Sequence, residues 1–260
     1  SKLLAPIVIS SGQHQEMAKQ TFAVFNIIPD FDLHLMQQNQ SLNVLLGLLL
    51  QKLEPILTEI KPYCVIVQGD TTTALGAALT AFHLHIPIGH VEAGLRTHDL
   101  NSPFPEEMNR SLISKISLFQ FCPTSLNAEN LIIEGLTNKI HVVGNTVIDS
   151  LHWVDQKLCC GELRPQQEVL NLALKPNGFI LVTGHRRENF DLPIRNLCQG
   201  LLTIAENFPQ YQIIYPLHKN PNIANTVKSL LSNKPNIHLL DPVDYPSLIY
   251  LMKYAKLIIS

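Results

Sequence analysis

The sequence predicts an α/β protein built as two Rossmann-like lobes, each a parallel sheet wrapped by helices, with a cleft between them. Short β-rich runs alternate with longer stretches of helical pattern along the whole chain, which is the signature of repeated βα units. The runs are continuously apolar rather than alternating, as in strands covered on both faces. The 260 residues, 46% of them hydrophobic and 15% charged, also exceed the usual length of a single core, about 100–150 residues.

The strand runs fall at 6–10 (PIVIS), 63–68 (YCVIVQ), 86–91 (IPIGHV), 118–122 (LFQFC), 139–143 (KIHVV), 179–183 (FILVT), 211–216 (YQIIYP), 236–240 (NIHLL) and 255–260 (AKLIIS). Helical pattern occupies 13–25, 40–60, 73–84, 105–116, 125–134, 146–157, 193–207, 221–232 and 245–253. Pro105 followed by Glu106 and Glu107 is a helix-start signal, and Ser125 precedes another helix-forming stretch. The segment 157–178 shows no clear strand, carries Pro165, Pro176 and Gly178, and divides five strands from four. Lobes are therefore expected at 1–150 and 151–260, with the boundary within 145–177. Residue 260 closes a predicted strand with no helix to follow, and Ser1 lies a few residues before one. The expectation is a chain cut at both ends, its C-terminal lobe incomplete where a binding loop would begin.

Composition excludes several classes. A net charge of −2 gives no general attraction to phosphate backbones, so no nucleic acid is expected as partner. The longest clean apolar run, Val44 to Leu50, is far short of the roughly 20 residues of a membrane span. The N-terminal SKLLAPIVIS lacks the features of a signal peptide. Cys64, Cys122, Cys159, Cys160 and Cys198 are odd in number and form no C-x-x-C pair, which fits inert thiols in a reducing, cytoplasmic setting. Of the eleven histidines, His83, His85 and His90 near Glu92 come closest to a ligand set. His83 and His85 diverge where helix gives way to strand, no H-x-x-x-H or H-E-x-x-H occurs, and no metal is expected. Dinucleotide, P-loop and nucleophile-elbow motifs are absent as well.

Ligands of open α/β sheets bind beyond the carboxyl ends of the strands, and polar residues gather there. The second strand ends in Gly69-Asp70-Thr71-Thr72-Thr73, and the third in His90-Val91-Glu92-Ala93-Gly94-Leu95-Arg96. The sixth ends in Gly184-His185-Arg186-Arg187-Glu188-Asn189, and the seventh is followed by His218-Lys219-Asn220-Pro221. Carboxylates dominate the first lobe's rim and cations the second's, an arrangement suited to an anionic group held opposite acid and base residues. Each feature also has a plainer structural explanation. Asp70 alone reads as a helix N-cap, Glu92 as a solvated loop residue, and Glu106 and Glu107 as complements of a helix dipole. His185-Arg186-Arg187 after a glycine is either an anion cradle or an exposed basic turn.

The ordered strings QGDTTT (68–73), GHVEAGLRT (89–97), SPFPEEMNR (102–110), VVGNTVID (142–149), TGHRREN (183–189) and PLHKNPN (216–222) closely resemble the non-hydrolysing UDP-N-acetylglucosamine 2-epimerases. The resemblance runs from about Ser11 to Ser260. It implies two Rossmann-like lobes in the GT-B-like arrangement shared with many glycosyltransferases, the second lobe (151–260) binding nucleotide. It also implies a cytoplasmic homodimer that takes UDP-N-acetylglucosamine and UDP, uses no cofactor, and feeds surface polysaccharide synthesis. In such an enzyme UDP is eliminated to a glycal and added back, with the C2 proton returned to the opposite face. By the resemblance Asp70, Glu92 and Glu106 are catalytic carboxylates, Asp70 being favoured as base, and His185 contacts the diphosphate. Arg186 and His218 match nucleotide-sugar positions, Leu248 stands where relatives place a phenylalanine against uracil, and Gln13 and His14 match part of a second, allosteric sugar-nucleotide site. Glu16 and Asn39 depart from that second site, which puts activation in doubt. Leucine for phenylalanine at 248 is expected to weaken base stacking by about 1 kcal/mol. The family's G-T-R-P-E loop and D-S-G-G-x-x-E loop find no match within the chain. A hydrolysing epimerase, a glycosyltransferase of the same build and an inactive binding fragment remain as alternatives.

Overall fold

The computed structural model describes residues 4–12, 15–37, 39–137, 139–183, 192–217 and 221–260. The chain runs β1 (Ile9–Ser10), α1 (Gln15–Val24), β2 (Phe31–Asp32), α2 (Leu42–Ile60), β3 (Val65–Gln68), α3 (Thr72–His83), β4 (Ile88–Val91), α4 (Glu106–Ile116), β5 (Phe119–Cys122), α5 (Ser125–Ile133) and β6 (Ile140–Val142). It continues through α6 (Thr146–Cys159), α7 (Gln167–Asn171), β7 (Phe179–Val182), α8 (Leu192–Asn207), β8 (Gln212–Pro216), α9 (Pro221–Leu231), β9 (Ile237–Leu240), α10 (Tyr245–Tyr254) and β10 (Leu257–Ile259). Each strand and helix expected from the sequence has its counterpart. Two short elements were not expected, the two-residue β2 and the five-residue α7, because neither is long enough to show a period. The chain forms two compact units, Ser1–Ile148 and Asp149–Ser260, which divide within α6.

In the first unit β3, β4, β5 and β6 lie side by side in that order, all parallel, while β1 and β2 pair parallel in a separate two-stranded ladder. Leu45, Leu49, Leu53 and Leu57 form the buried stripe of α2 at four-residue spacing, the spacing that keeps side chains on one helical face. That stripe meets α3 at Gly76, where an added Cβ would lie 2.9 Å from the Leu49 Cβ. Ala74, Leu75, Ala78 and Ala81 of α3 join Val67, Ile88 and Ile113 in the core beneath the strands. Fully burying each leucine here contributes about 1.5–3 kcal/mol, so the β3–α3 turn stands on a rigid base.

In the second unit the order is β10-β7-β8-β9, again all parallel. The chain winds outward from β7 through β8 to β9 and then returns to the other side of β7. This reversal makes the carboxyl ends of β7 and β10 a topological switch point, the position where such sheets take ligands. Thr183 just beyond β7 donates its N–H to the Ile259 carbonyl at 2.8 Å. Every residue of β7 is buried, as are Ile213, Ile214 and Tyr215 of β8.

Coverage on both faces, expected for all the apolar runs, holds for β7 and the middle of β8 but not for the outer strands. Ile66 of β3, Val142 of β6 and Leu257 of β10 are exposed. All three strands lie at the edges of their sheets.

Candidate active site

The second-strand turn is set by two residues on either side of Asp70. Gly69 sits at φ +69°, left-handed backbone that glycine adopts without a Cβ penalty. Thr71, not Asp70, caps α3: its backbone is extended and its side chain accepts the Ala74 N–H at 3.2 Å. The capping explanation of Asp70 is thereby corrected. A hydroxyl one residue later does that work, leaving the Asp70 carboxylate to meet Arg110 Nη2 at 2.5 Å.

Behind the turn His90 of β4 is fully buried, and its Nε2 lies 2.8 Å from the Gly69 carbonyl. A carbonyl only accepts, so Nε2 carries the proton and donates. Burial lowers the imidazole to about 4, and the ring is neutral near pH 7. Gln120, paired in register with His90, commits its amide to the Ser114 and Ser117 carbonyls. Among the described residues, Gln120 Oε1 is a buried acceptor with no hydrogen-bond partner.

The third-strand turn carries Glu92 at φ +66°, a region uncommon for a residue with a side chain. Its Oε2 lies 3.5 Å from where a Gly69 Cβ would stand, so this carboxylate hangs directly over the Gly69-Asp70 turn. Gly94 follows at φ +85°, where an added Cβ would come within 2.1 Å of the Asn127 carbonyl oxygen. Only glycine fits that approach. Arg96 then anchors the loop: Nε and Nη2 reach Glu134 at 2.6 and 2.9 Å, Nη1 donates to the Leu95 carbonyl, and Nη2 also donates to Ser114 Oγ.

Helix α4 supplies the third wall. Pro105 stands at its N-cap position without a side-chain cap, and Glu106 and Glu107 occupy the first turn. The helix-dipole explanation therefore fits both, but their environments differ. Glu106 is half-buried beside Asp70, whereas Glu107 is only 1% exposed, accepting the His98 N–H at 3.2 Å and facing Arg110 Nη1 at 3.5 Å. Asn109 donates its amide to the Asp70 carbonyl at 2.8 Å.

Electrostatics tie the three predicted carboxylates together. Burial raises Asp70 above the ordinary aspartate range, Arg110 opposes that rise, and Glu106 adds to it. Burial likewise raises Glu92, reinforced by the charge of Asp70 and opposed by Arg110. Raised carboxyls within reach of one another can divide acid and base roles at neutral pH. Among the described residues no three His, Cys, Asp or Glu side chains are grouped to hold a metal ion, and no helix is long and apolar enough to cross a membrane.

The structure thus brings Asp70, Glu92 and Glu106 to one rim of the first unit. Leu248 lies in the second unit on α10, partly buried against the cluster of Val169, Phe179, Leu181 and Leu251. His185, Arg186, His218, Gln13 and His14 lie outside the described residues. Sequence reasoning weighed His90 only as a metal ligand and Glu107 only as a helix-dipole complement, and it did not single out Asn109 or Arg110. A usable signal was present for the last two: Asn109 and Arg110 follow Glu106 by three and four positions, which places them on its helical face.

A parallel α/β unit with convergent, partly desolvated carboxylates at its strand ends has the makings of a proton-transferring enzyme. Residues 1–260 match the family model described as UDP-N-acetylglucosamine 2-epimerase, and the chain belongs to that family. The UDP-N-acetylglucosamine 2-epimerase of Escherichia coli K12 is 43% identical over 256 residues, 97% of this chain and 68% of that protein. That of Yersinia pestis is 44% identical over the same shares of the two chains. The crystal structure of the Neisseria meningitidis UDP-GlcNAc 2-epimerase bound to UDP-GlcNAc superimposes with a TM-score of 0.84 at 40% identity, over 95% of this chain and 67% of that one. A trehalose 6-phosphate synthase from Burkholderia multivorans shares the fold alone, with a TM-score of 0.54 at 12% identity over 86% of this chain and 56% of that one.

Proposed function

We propose that this chain interconverts UDP-N-acetylglucosamine and UDP-N-acetylmannosamine by eliminating and re-adding UDP without net hydrolysis. The observation that carries the reading is the meeting of Glu92 and Glu106 with Asp70, which Arg110 pairs, Asp70 and Glu92 both being raised by burial. The C2–H bond of the sugar has no adjacent carbonyl to acidify it. Departure of UDP builds positive charge at C1 first, and C2–H then becomes labile to a carboxylate. Asp70 is the base in this reading, and Glu92 or Glu106 protonates the opposite face on return. His185 would contact the diphosphate, Arg186 and His218 would bind the nucleotide sugar, Leu248 would lie against uracil, and Gln13 with His14 would belong to a second sugar-nucleotide site. Support for the ligand class comes from relatives solved with UDP-GlcNAc and with UDP, including that of Methanocaldococcus jannaschii at 34% identity.

Within the same proposal the two lobes are 1–150 and 151–260, the second binding nucleotide near the switch point beyond β7 and β10. The protein would act as a homodimer in the cytoplasm and supply surface polysaccharide synthesis. Incubation with UDP-N-acetylglucosamine in deuterated water tests the chemistry. The expected result is UDP-N-acetylmannosamine carrying deuterium at C2. Free N-acetylmannosamine without the UDP-linked product would overturn the non-hydrolysing reading, and recovery of unlabelled substrate would overturn the activity.

A further inference from the structure

Glu106 is the one residue of α4 to which the proposed chemistry assigns a role, yet three of its neighbours converge on Asp70. Asn109 Nδ2 donates to the Asp70 backbone carbonyl at 2.8 Å. Arg110 Nη2 meets the Asp70 carboxylate at 2.5 Å. Glu107, at 1% exposure, braces the same guanidinium from the far side at 3.5 Å, and is itself held by the His98 N–H. One turn of helix thus grips Asp70 at its main chain and at its carboxylate. The guanidinium making the second grip is itself only 12% exposed.

We propose that Glu107, Asn109 and Arg110 are positioning residues that fix the Asp70 carboxylate beside Glu92 and Glu106, with Arg110 as its counter-ion. The role assigned to Asp70 in catalysis rests on the function proposed above; the clamp does not. A fixed orientation matters because proton abstraction needs the carboxylate oxygen within hydrogen-bond reach of its target. A counter-ion matters because three carboxylates at one rim repel one another, and without a cation Asp70 would hold its proton at higher pH. Arg110, Glu106 and Glu107 face this site from α4. Glu92 faces it from the turn after β4, and the neutral His90 from β4 itself through Gly69. Arg110 is the cation that opposes the rise at both Asp70 and Glu92.

The clamp is tested on the intact chain by titrating carboxyl-13C-labelled aspartate by NMR, with the Asp70 signal assigned through Asp70→Asn. Arg110→Gln is expected to move the Asp70 midpoint upward by about one pH unit, and Arg110→Lys to restore most of that displacement. Arg110→Met serves as the neutral replacement should the glutamine variant not fold. An Asp70 midpoint unchanged in a folded neutral variant would overturn the proposal. In the exchange assay the ascending limb of kcat/KM should move upward with that midpoint while KM holds. A limb that stays in place while the midpoint moves would leave the clamp standing and remove Asp70 from the chemistry, so the two readings fail separately.

Discussion

Arg96 and Arg110 both lie in the first unit, both are largely buried, and both meet a carboxylate, yet the two pairs are built differently. Arg96, at 1% exposure, grips Glu134 through two short contacts and places its remaining donors on Leu95 and Ser114. Arg110 meets Asp70 through Nη2, reaches Glu107 at 3.5 Å, and keeps a buried Nε with no hydrogen-bond partner among the described residues. The carboxylates respond in opposite directions. Hydrogen bonds from Arg96 lower Glu134 in spite of burial, whereas at Asp70 burial outweighs Arg110. A fully satisfied ion pair locks a loop. An under-satisfied one leaves its carboxylate able to pick up and release a proton.

The sharpest break of this contrast is catalytic. Asp70→Asn is expected to cut C2 deuterium exchange by about a thousandfold or more, with circular dichroism unchanged, while Glu134→Gln leaves exchange near wild type. Equal losses in the two variants would erase the distinction. The second test reverses the order by measuring stability. Glu134→Gln strands a buried guanidinium and should cost about 3 kcal/mol in urea unfolding at pH 7, the low end for a broken buried pair because Glu134 is partly exposed. Asp70→Asn should cost far less.

The smallest expected effect separates Glu134 by pH from Glu92, the carboxylate beside Asp70. Glu134 is depressed when folded, so its contribution is present above the ordinary value of 4.5 and disappears as pH falls through the folded value. Glu92 is raised when folded, so its ionised form disfavours folding at neutral pH, and that penalty vanishes on acidification. Glu92→Gln should accordingly raise Tm at pH 7 by about 1–2 °C, with no gain near pH 3. A wild-type-like Tm at both pH values would show that Glu92 is not desolvated.

Much of this was legible in the sequence because the cues were local. The apolar runs at 179–183 and 211–216 announced buried parallel strands, and the glycine and carboxylate at each strand end marked the rim. The N-cap of α3 was not legible. Asp70 and Thr71 are both good capping residues, and which one takes the role depends on backbone angles fixed by Gly69 and His90. The support of Asp70 by Asn109 and Arg110 joins residues about forty positions apart. Nothing in their own neighbourhood reveals it until α4 is laid across the turn. β2 escaped notice for the opposite reason: a two-residue ladder carries no pattern at all.

Glu92 sits where the main chain takes a left-handed turn that a residue with no side chain would occupy more comfortably. Replacing it with glycine should therefore yield a sturdier protein and a mute one. At this position the carboxylate is retained against the conformational preference of its own backbone. Under the proposed function, that group would be kept for what it does to a substrate rather than for what it does for the fold.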